Sequence, residues 1–571
     1  MALTRVTNAL LKTQFSDYAD LVANATTYAI GTALNTEKEG FSYRCVGSDG
    51  DLTLTSGQQV DVLPTAGFWK AEAFGAAGDG VTSSAVAINK AILSAYNSGG
   101  GTVLLPTGTC MAEDRIVLRA NVRLEGASAE GTILTRPSNT SYNGGVNDAV
   151  LITHDFDNLT GTAEGQASNG VPTGFGLNRI TVDGNRFATG NDVTTKHNIL
   201  IYGKRYYIET LLSVRAGGDG FYSECAEFTN AEYTEDPETE ITFLRVAQCG
   251  RDGFSYTGPN DGYANKIIVE RCARYGYYSR SLTNTNAKHS VNTIHAYSCG
   301  KGIWNSDGIE YAHEVVSESS TTGEDIIWNH FRSQVAMMHA YHSLDGFAGS
   351  SIQLTGNRMS IGDVKCENIG ADAAVTLSGS GCHIGHIGLE GANKAANVRT
   401  GLSLTGQRNT IDDGHITGFS GVDDGGNACR ALLTGSGASL QNSLVHLKID
   451  NCNHGWYVGG SDHSWNEIDL KLSANTSDTA GGTISVRDRV RLQGSTQYHS
   501  EQGSVTLSSG TATVTFGQAQ PGNSYQIQLA GNGAGEVFTW TTKLATRFVI
   551  NSDNASSGSV VDWRVTTRYT N

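Results

Sequence analysis

The chain has 571 residues, a net charge of −16, 17% charged residues, 70 glycines and seven prolines. That length exceeds one ordinary core and points to several domains or an elongated solenoid, while the glycine-rich, proline-poor composition suits short strands and tight turns and excludes a helical bundle or a disordered chain. The acidic balance excludes nucleic acid as a partner, and the absence of any run of about 18 apolar residues excludes membrane insertion.

Residues 1–66 open with "MALTRVTNALLKTQF", which lacks the apolar core, roughly 7–15 residues long, of a secretory signal. Synthesis in the cytoplasm is the expectation. A short helix is predicted near "FSDYADLVANA", followed by alternating segments such as "GFSYRCV" and "QQVDVLP". Residues 67–110 are read as a capping helix and a first buried strand. Ala85, Ile88, Ile92, Ala95 and Tyr96 form one apolar face, serines precede it, Gly99–Gly101 end it, and "GTVLLPTG" supplies the strand and its turn.

Residues 111–490 repeat. "CGRDGFSY", "CARYGYYS", "SCGKGIWN" and "CNHGWYV" are variants of one pattern, and the repeats average about 26 residues. Cys225, Cys249, Cys272 and Cys299 are 24, 23 and 27 residues apart, a spacing that predicts a buried stack, one small side chain per coil. A unit of this length built from short strands fits one coil of a right-handed parallel β-helix, whose coils stack at roughly 4.8 Å. Residues 503–571 alternate in six segments, from Val505/Leu507 to Val561/Trp563/Val565, and predict a C-terminal β-sandwich. The fold class expected is all-β.

Three stretches, "FGAAGDGVTSSAVAINKAI", "GGGTVLLPTG" and "RITVDGNR", resemble the start of the pectate-lyase-like β-helix of bacteriophage tailspikes and capsule depolymerases, and the resemblance covers roughly residues 68–480. It implies a homotrimer on the phage tail whose N-terminal segment attaches to the virion or to an adaptor protein. It also implies a C-terminal domain that trimerises or binds sugar, and a β-helix that binds and depolymerises a capsular or O-antigen polysaccharide at the bacterial surface. No cofactor and no metal are expected.

Hydrolysis of a glycosidic bond needs two flanking carboxyl groups, and stacked coils offer spacings that bracket both stereochemical outcomes. Aligned on their glycines, the coils put Asp219, Asp252, Asp325 and Asp345 at one turn position, with Tyr275 and Lys301 between. Asp-Gly is also a favoured turn pair whatever the function, so both readings stay open. "WNSDGIE", Trp304 to Glu310, and "GEDIIW", Gly323 to Trp328, are similar to the paired motifs of polygalacturonase-type β-helix hydrolases. By that likeness Asp307 matches the first motif's Asp, and Glu324 and Asp325 match the pair. Glu324 and Ser306 depart from the pattern's Asp and Thr. The candidate catalytic residues are therefore Asp252, Asp307, Glu310, Glu324 and Asp325, with Trp304, Trp328, Tyr278 and Arg280 as candidate sugar-binding residues. β-Elimination by a polysaccharide lyase, a non-catalytic adhesin and a secreted pectinase are the rival readings.

Overall fold

The computed structural model describes residues 13–145, 147–154, 156, 172–224, 239–258, 262–280, 289–306, 308–341, 349–369, 372–391, 400–420, 429–434, 443–458, 466–475, 477–481, 489–493, 502–509, 511–515, 525–531, 537–544, 547–554 and 559–567. The chain divides into two compact units, Met1–Ser317 and Glu318–Asn571.

The first unit opens with a small sheet of five strands between Gln14 and Leu63 and a short helix, α1, Tyr18–Val22. Leu21, Leu34, Tyr43, Cys45, Val60 and Val62 form its buried core. A second helix, α2, Ala85–Asn97, follows, and its Lys90 donates to the carbonyl of Asp51 at 3.0 Å. Its buried face is Ala85, Ala87, Ile88, Ala91, Ile92, Ser94 and Ala95. Tyr96 departs from expectation: it is 43% exposed, with the Arg119 guanidinium over its ring. The strand Gly101–Leu104 pairs on one side with Val122–Glu125, but on the other with Phe68–Lys70, so a strand already precedes the helix.

From there the chain winds as a parallel β-helix. Four strands of one sheet are labelled β1, Phe221–Glu224, β2, Phe254–Thr257, β3, Tyr275–Arg280, and β4, Lys301–Ser306; each pairs in parallel with the next. The opposing sheet carries Glu240–Ala247, Gly262–Glu270 and His289–Tyr297, again parallel and in register. A strand enters each corner through a residue in the left-handed region, Gln248, Arg271 or Ser298, and the next residue is always a cysteine. Cys249, Cys272 and Cys299 are buried, and each thiol faces the carbonyl two residues back, at 3.6, 3.5 and 3.5 Å. One place is thus refilled coil after coil. Cys225 lies outside the described residues.

The glycines recur because they touch those cysteines one coil on. A Cβ at Gly253 would sit 2.0 Å from Val269 Cγ1 and 3.0 Å from Cys272 Sγ, and one at Gly220 would sit 2.7 Å from Cys249 Sγ. No larger residue fits there without displacing the wall.

The second unit continues with the same construction. Parallel strands include Ile326–Asn329, Ser350–Leu354, Ala373–Leu377 and Thr400–Leu404, then β5, Arg430–Thr434, and β6, His454–Val458. Past residue 501, antiparallel strands form two three-stranded sheets around Leu507, Val514, Phe548, Ile550 and Val561.

Candidate functional site

Strands β1 to β4 hold the candidate site of the first unit. Their register sets Tyr222, Ser255, Tyr278 and Trp304 in one column, with Ser223, Tyr256, Ser279 and Asn305 in the next, on the buried side. Glu224 pairs with Thr257, and Arg280 with Ser306, one residue further along.

Three rings form a ledge. Tyr275 and Tyr278 are stacked with centroids 5.2 Å apart, and Trp304 meets them edge-on at 4.9 and 5.4 Å. Cations surround it: Arg274 lies 5.5 Å from the Tyr275 centroid, Arg280 5.9 Å from that of Tyr278, and Lys301 5.8 Å from that of Tyr275. Tyr278 and Trp304 are half-buried and Arg280 is exposed, so rings and charges are both open to a ligand. The expected places of Tyr278, Arg280 and Trp304 come together here.

Beside the ledge stands a residue that sequence reasoning missed. Glu224 is almost fully buried and accepts a hydrogen bond from the Tyr222 hydroxyl. Burial raises the Glu224 carboxyl above its ordinary range, and the Tyr222 bond and the charge of Arg280 only partly offset that. Burial also raises the Tyr222 hydroxyl, as does the Glu224 charge. A signal was available: Glu224, Thr257 and Arg280 each stand four residues past the glycines Gly220, Gly253 and Gly276.

The acids at the turn position do something else. Asp252 is fully buried; Arg274 Nε donates to its Oδ1 at 2.6 Å, Arg274 Nη2 to its Oδ2, and the backbone N–H of Tyr275 to Oδ1 at 3.2 Å. The N–H of Asp252 in turn donates to Asp219 Oδ1 at 3.0 Å, and Arg251 pairs with Asp219 at 2.8 Å. Each carboxylate caps the backbone of the coil that follows. Burial, with the neighbouring Asp219 charge, pushes Asp252 upward against the Arg274 clamp.

The remaining candidates divide between the two units. Asp307 and Asp345 lie outside the described residues. Glu310 is half-buried on the strand Ile309–Glu318 of the first unit. In the second unit Asp325 is buried, accepting from the Ser351 hydroxyl at 2.5 Å and the Ser320 N–H at 3.4 Å. Glu324 accepts from Gln353 at 3.4 Å. Trp328 is a correction: it is fully buried, its indole N–H donates to Ser333 at 2.8 Å, and no face is left for a sugar ring.

Behind the ledge the interior is polar. His289 is fully buried, stacked on Tyr256 at 4.2 Å, with Nδ1 3.2 Å from the Tyr277 hydroxyl. Burial pushes its pKa down to about 3.

Residues 68–323 match the family model described as Rhamnogalacturonase A/epimerase, pectate lyase-like. The chain is similar to mannuronan C5-epimerase AlgE3 of Azotobacter vinelandii, 26% identical over 249 residues, which are 43% of this chain and 12% of that protein. It is also similar to alginate lyase 7 of Azotobacter vinelandii, 24% identical over 233 residues, 39% of this chain and 23% of that one. The chain therefore spans less than a quarter of either relative. Among solved structures, the chain is similar to the tailspike protein gp49 of Acinetobacter baumannii bacteriophage Fri1, a capsular polysaccharide depolymerase. It is 11% identical, 98% of each chain is covered, and the TM-score is 0.37.

Proposed function

We propose that the chain is a phage tailspike that binds an acidic bacterial surface polysaccharide on the ring ledge and cleaves it by β-elimination at Tyr222, Glu224 and Arg280. Its homotrimeric assembly and its N-terminal attachment to the phage tail or an adaptor belong to the same reading. One observation carries the chemistry: a buried, raised carboxyl hydrogen-bonded to a tyrosine, beside an exposed arginine and a ledge of aromatic rings. The names of the two relatives, an epimerase of mannuronan and a lyase of alginate, support a polyuronate-like substrate. So does the local charge, since three cations ring the ledge of a chain whose net charge is −16.

The steps follow from the groups. Arg280 pairs with the uronate carboxylate and draws electron density from the adjacent C5–H bond. Glu224, ionised, takes the C5 proton; its raised basicity suits that task. The C4–O4 bond breaks as the C4–C5 double bond forms, and Tyr222 donates its proton to the departing O4. The Tyr222–Glu224 hydrogen bond then returns the proton from the carboxylic acid to the tyrosinate, which restores the site. Tyr278 and Trp304 hold the flanking sugar rings by their faces.

Hydrolysis by paired carboxylates finds less support, because Asp252 is clamped by Arg274 and the Tyr275 N–H, and Asp325 is held by the Ser351 hydroxyl and the Ser320 N–H. Incubating the purified chain with an acidic capsular polysaccharide tests the proposal. Elimination leaves an unsaturated uronate that absorbs near 235 nm. Shortened chains with saturated ends would return hydrolysis to first place, and an unchanged chain length would leave an adhesin.

A further inference from the structure

The geometry points to a separate anion subsite in the second unit, formed by Arg430, His454 and Tyr457, which takes a sugar carboxylate. Strands β5 and β6 pair in register, Arg430 opposite His454 and Leu433 opposite Tyr457. The Arg430 guanidinium carbon lies 4.0 Å from the Tyr457 ring centroid, and the His454 ring stands 6.3 Å from the same ring. A guanidinium held against a ring makes no hydrogen bond to it, so its N–H groups remain for an in-plane acceptor.

Among the described residues, two buried nitrogens of this cluster, Arg430 Nε and His454 Nδ1, have no hydrogen-bond partner. A buried donor left unmade is costly and uncommon, and an arginine N–H can be satisfied only by an acceptor. Among the described residues no acidic side chain pairs with Arg430. Burial, and then the charge of Arg430, lower the His454 pKa, so the imidazole is neutral at pH 7 and can offer Nδ1–H as a second donor. One permanent cation and one neutral donor, a strand spacing apart, suit a two-oxygen anion. Carboxylate and phosphate share that chemistry. The choice of a sugar carboxylate rests on the acidic-glycan reading above, whereas the subsite itself does not.

The test uses the full chain with its histidines carbon-13 labelled at Cε1, and His454→Gln to identify the signal. Trigalacturonate is expected to shift that one signal saturably. Arg430→Gln is expected to weaken the effect by about tenfold or more, as loss of a charge-assisted pair implies. Unchanged positions of the remaining histidine signals verify that the variant is folded. Inorganic phosphate is titrated in parallel; tighter binding of phosphate than of trigalacturonate would overturn the carboxylate assignment. No saturable shift with either probe, or a shift that Arg430→Gln leaves intact, would overturn the subsite. Cleavage is followed separately at 235 nm. Cleavage without a shift sinks the subsite alone, and a shift without cleavage sinks the reaction alone.

Discussion

Glu224 and Tyr222 show how a single pair of side chains can be set for proton transfer. With the carboxyl raised by burial, the ionised form is the stronger base, so activity is expected to rise as pH climbs through that raised pKa. Glu224→Gln is predicted to lower kcat by roughly 10²–10⁴-fold and to erase the acidic limb of the pH profile, as measured at 235 nm. Arg280→Gln is predicted to raise KM for an acidic glycan more than it lowers kcat. Tyr278 and Trp304 were legible because an aromatic residue stands two positions past the glycines Gly276 and Gly302, and Arg280 because a cation closes the same short aromatic run. Glu224 was not, because the offset signals a position and not the burial that makes an ordinary glutamate reactive. Asp252 misled for a related reason: an Asp before a glycine reads alike whether its carboxylate faces a substrate or the next coil's N–H. Asp252→Ala is therefore expected to lower the melting temperature while leaving kcat near the wild-type value, and a kcat loss of 100-fold in a folded variant would restore Asp252 to the catalytic set.

At the scale of the element, each coil is keyed to the next through a glycine and a thiol. Gly253→Ala would force a methyl group against Val269 and Cys272, and overpacking of that kind costs about 1–3 kcal/mol, readable by chemical denaturation. Cys272→Ser at the other side of the contact would bury a hydroxyl in a place built for sulfur. This part of the architecture was legible from spacing alone, since few folds besides a solenoid repeat a small apolar residue at fixed phase with a period near one coil length. What spacing could not reveal is the partner: Cys249 and Gly253 are neighbours in sequence, yet Gly253 touches Cys272 of the following coil. Tyr96 and Trp328 show the complementary limit. Apolar periodicity told neither that Tyr96 is covered by Arg119 nor that Trp328 is sealed by Ser333.

At the scale of the molecule, the buried imidazole of His289 ties stability to acidity. In the unfolded chain it gains a proton near its ordinary pKa of 6.5, whereas in the folded chain burial defers this to about 3. The unfolded state thus binds more protons between these values, and stability falls as pH drops from 6.5 toward 3. The loss from this group is on the order of a few kcal/mol. His289→Phe is expected to flatten that slope in melts compared at pH 7 and pH 4, with the offset of a lost Tyr277 contact present at both. The left-handed corners ahead of Cys249, Cys272 and Cys299 carry a further corollary. Because each of these thiols sits just past a bend and packs against the preceding coil's glycine, a coil that peels away bares its own sulfur and uncovers one side of the next. Timed alkylation in mild denaturant, resolved peptide by peptide, would then act as a set of local clocks, recording which turn of the winding lets go first.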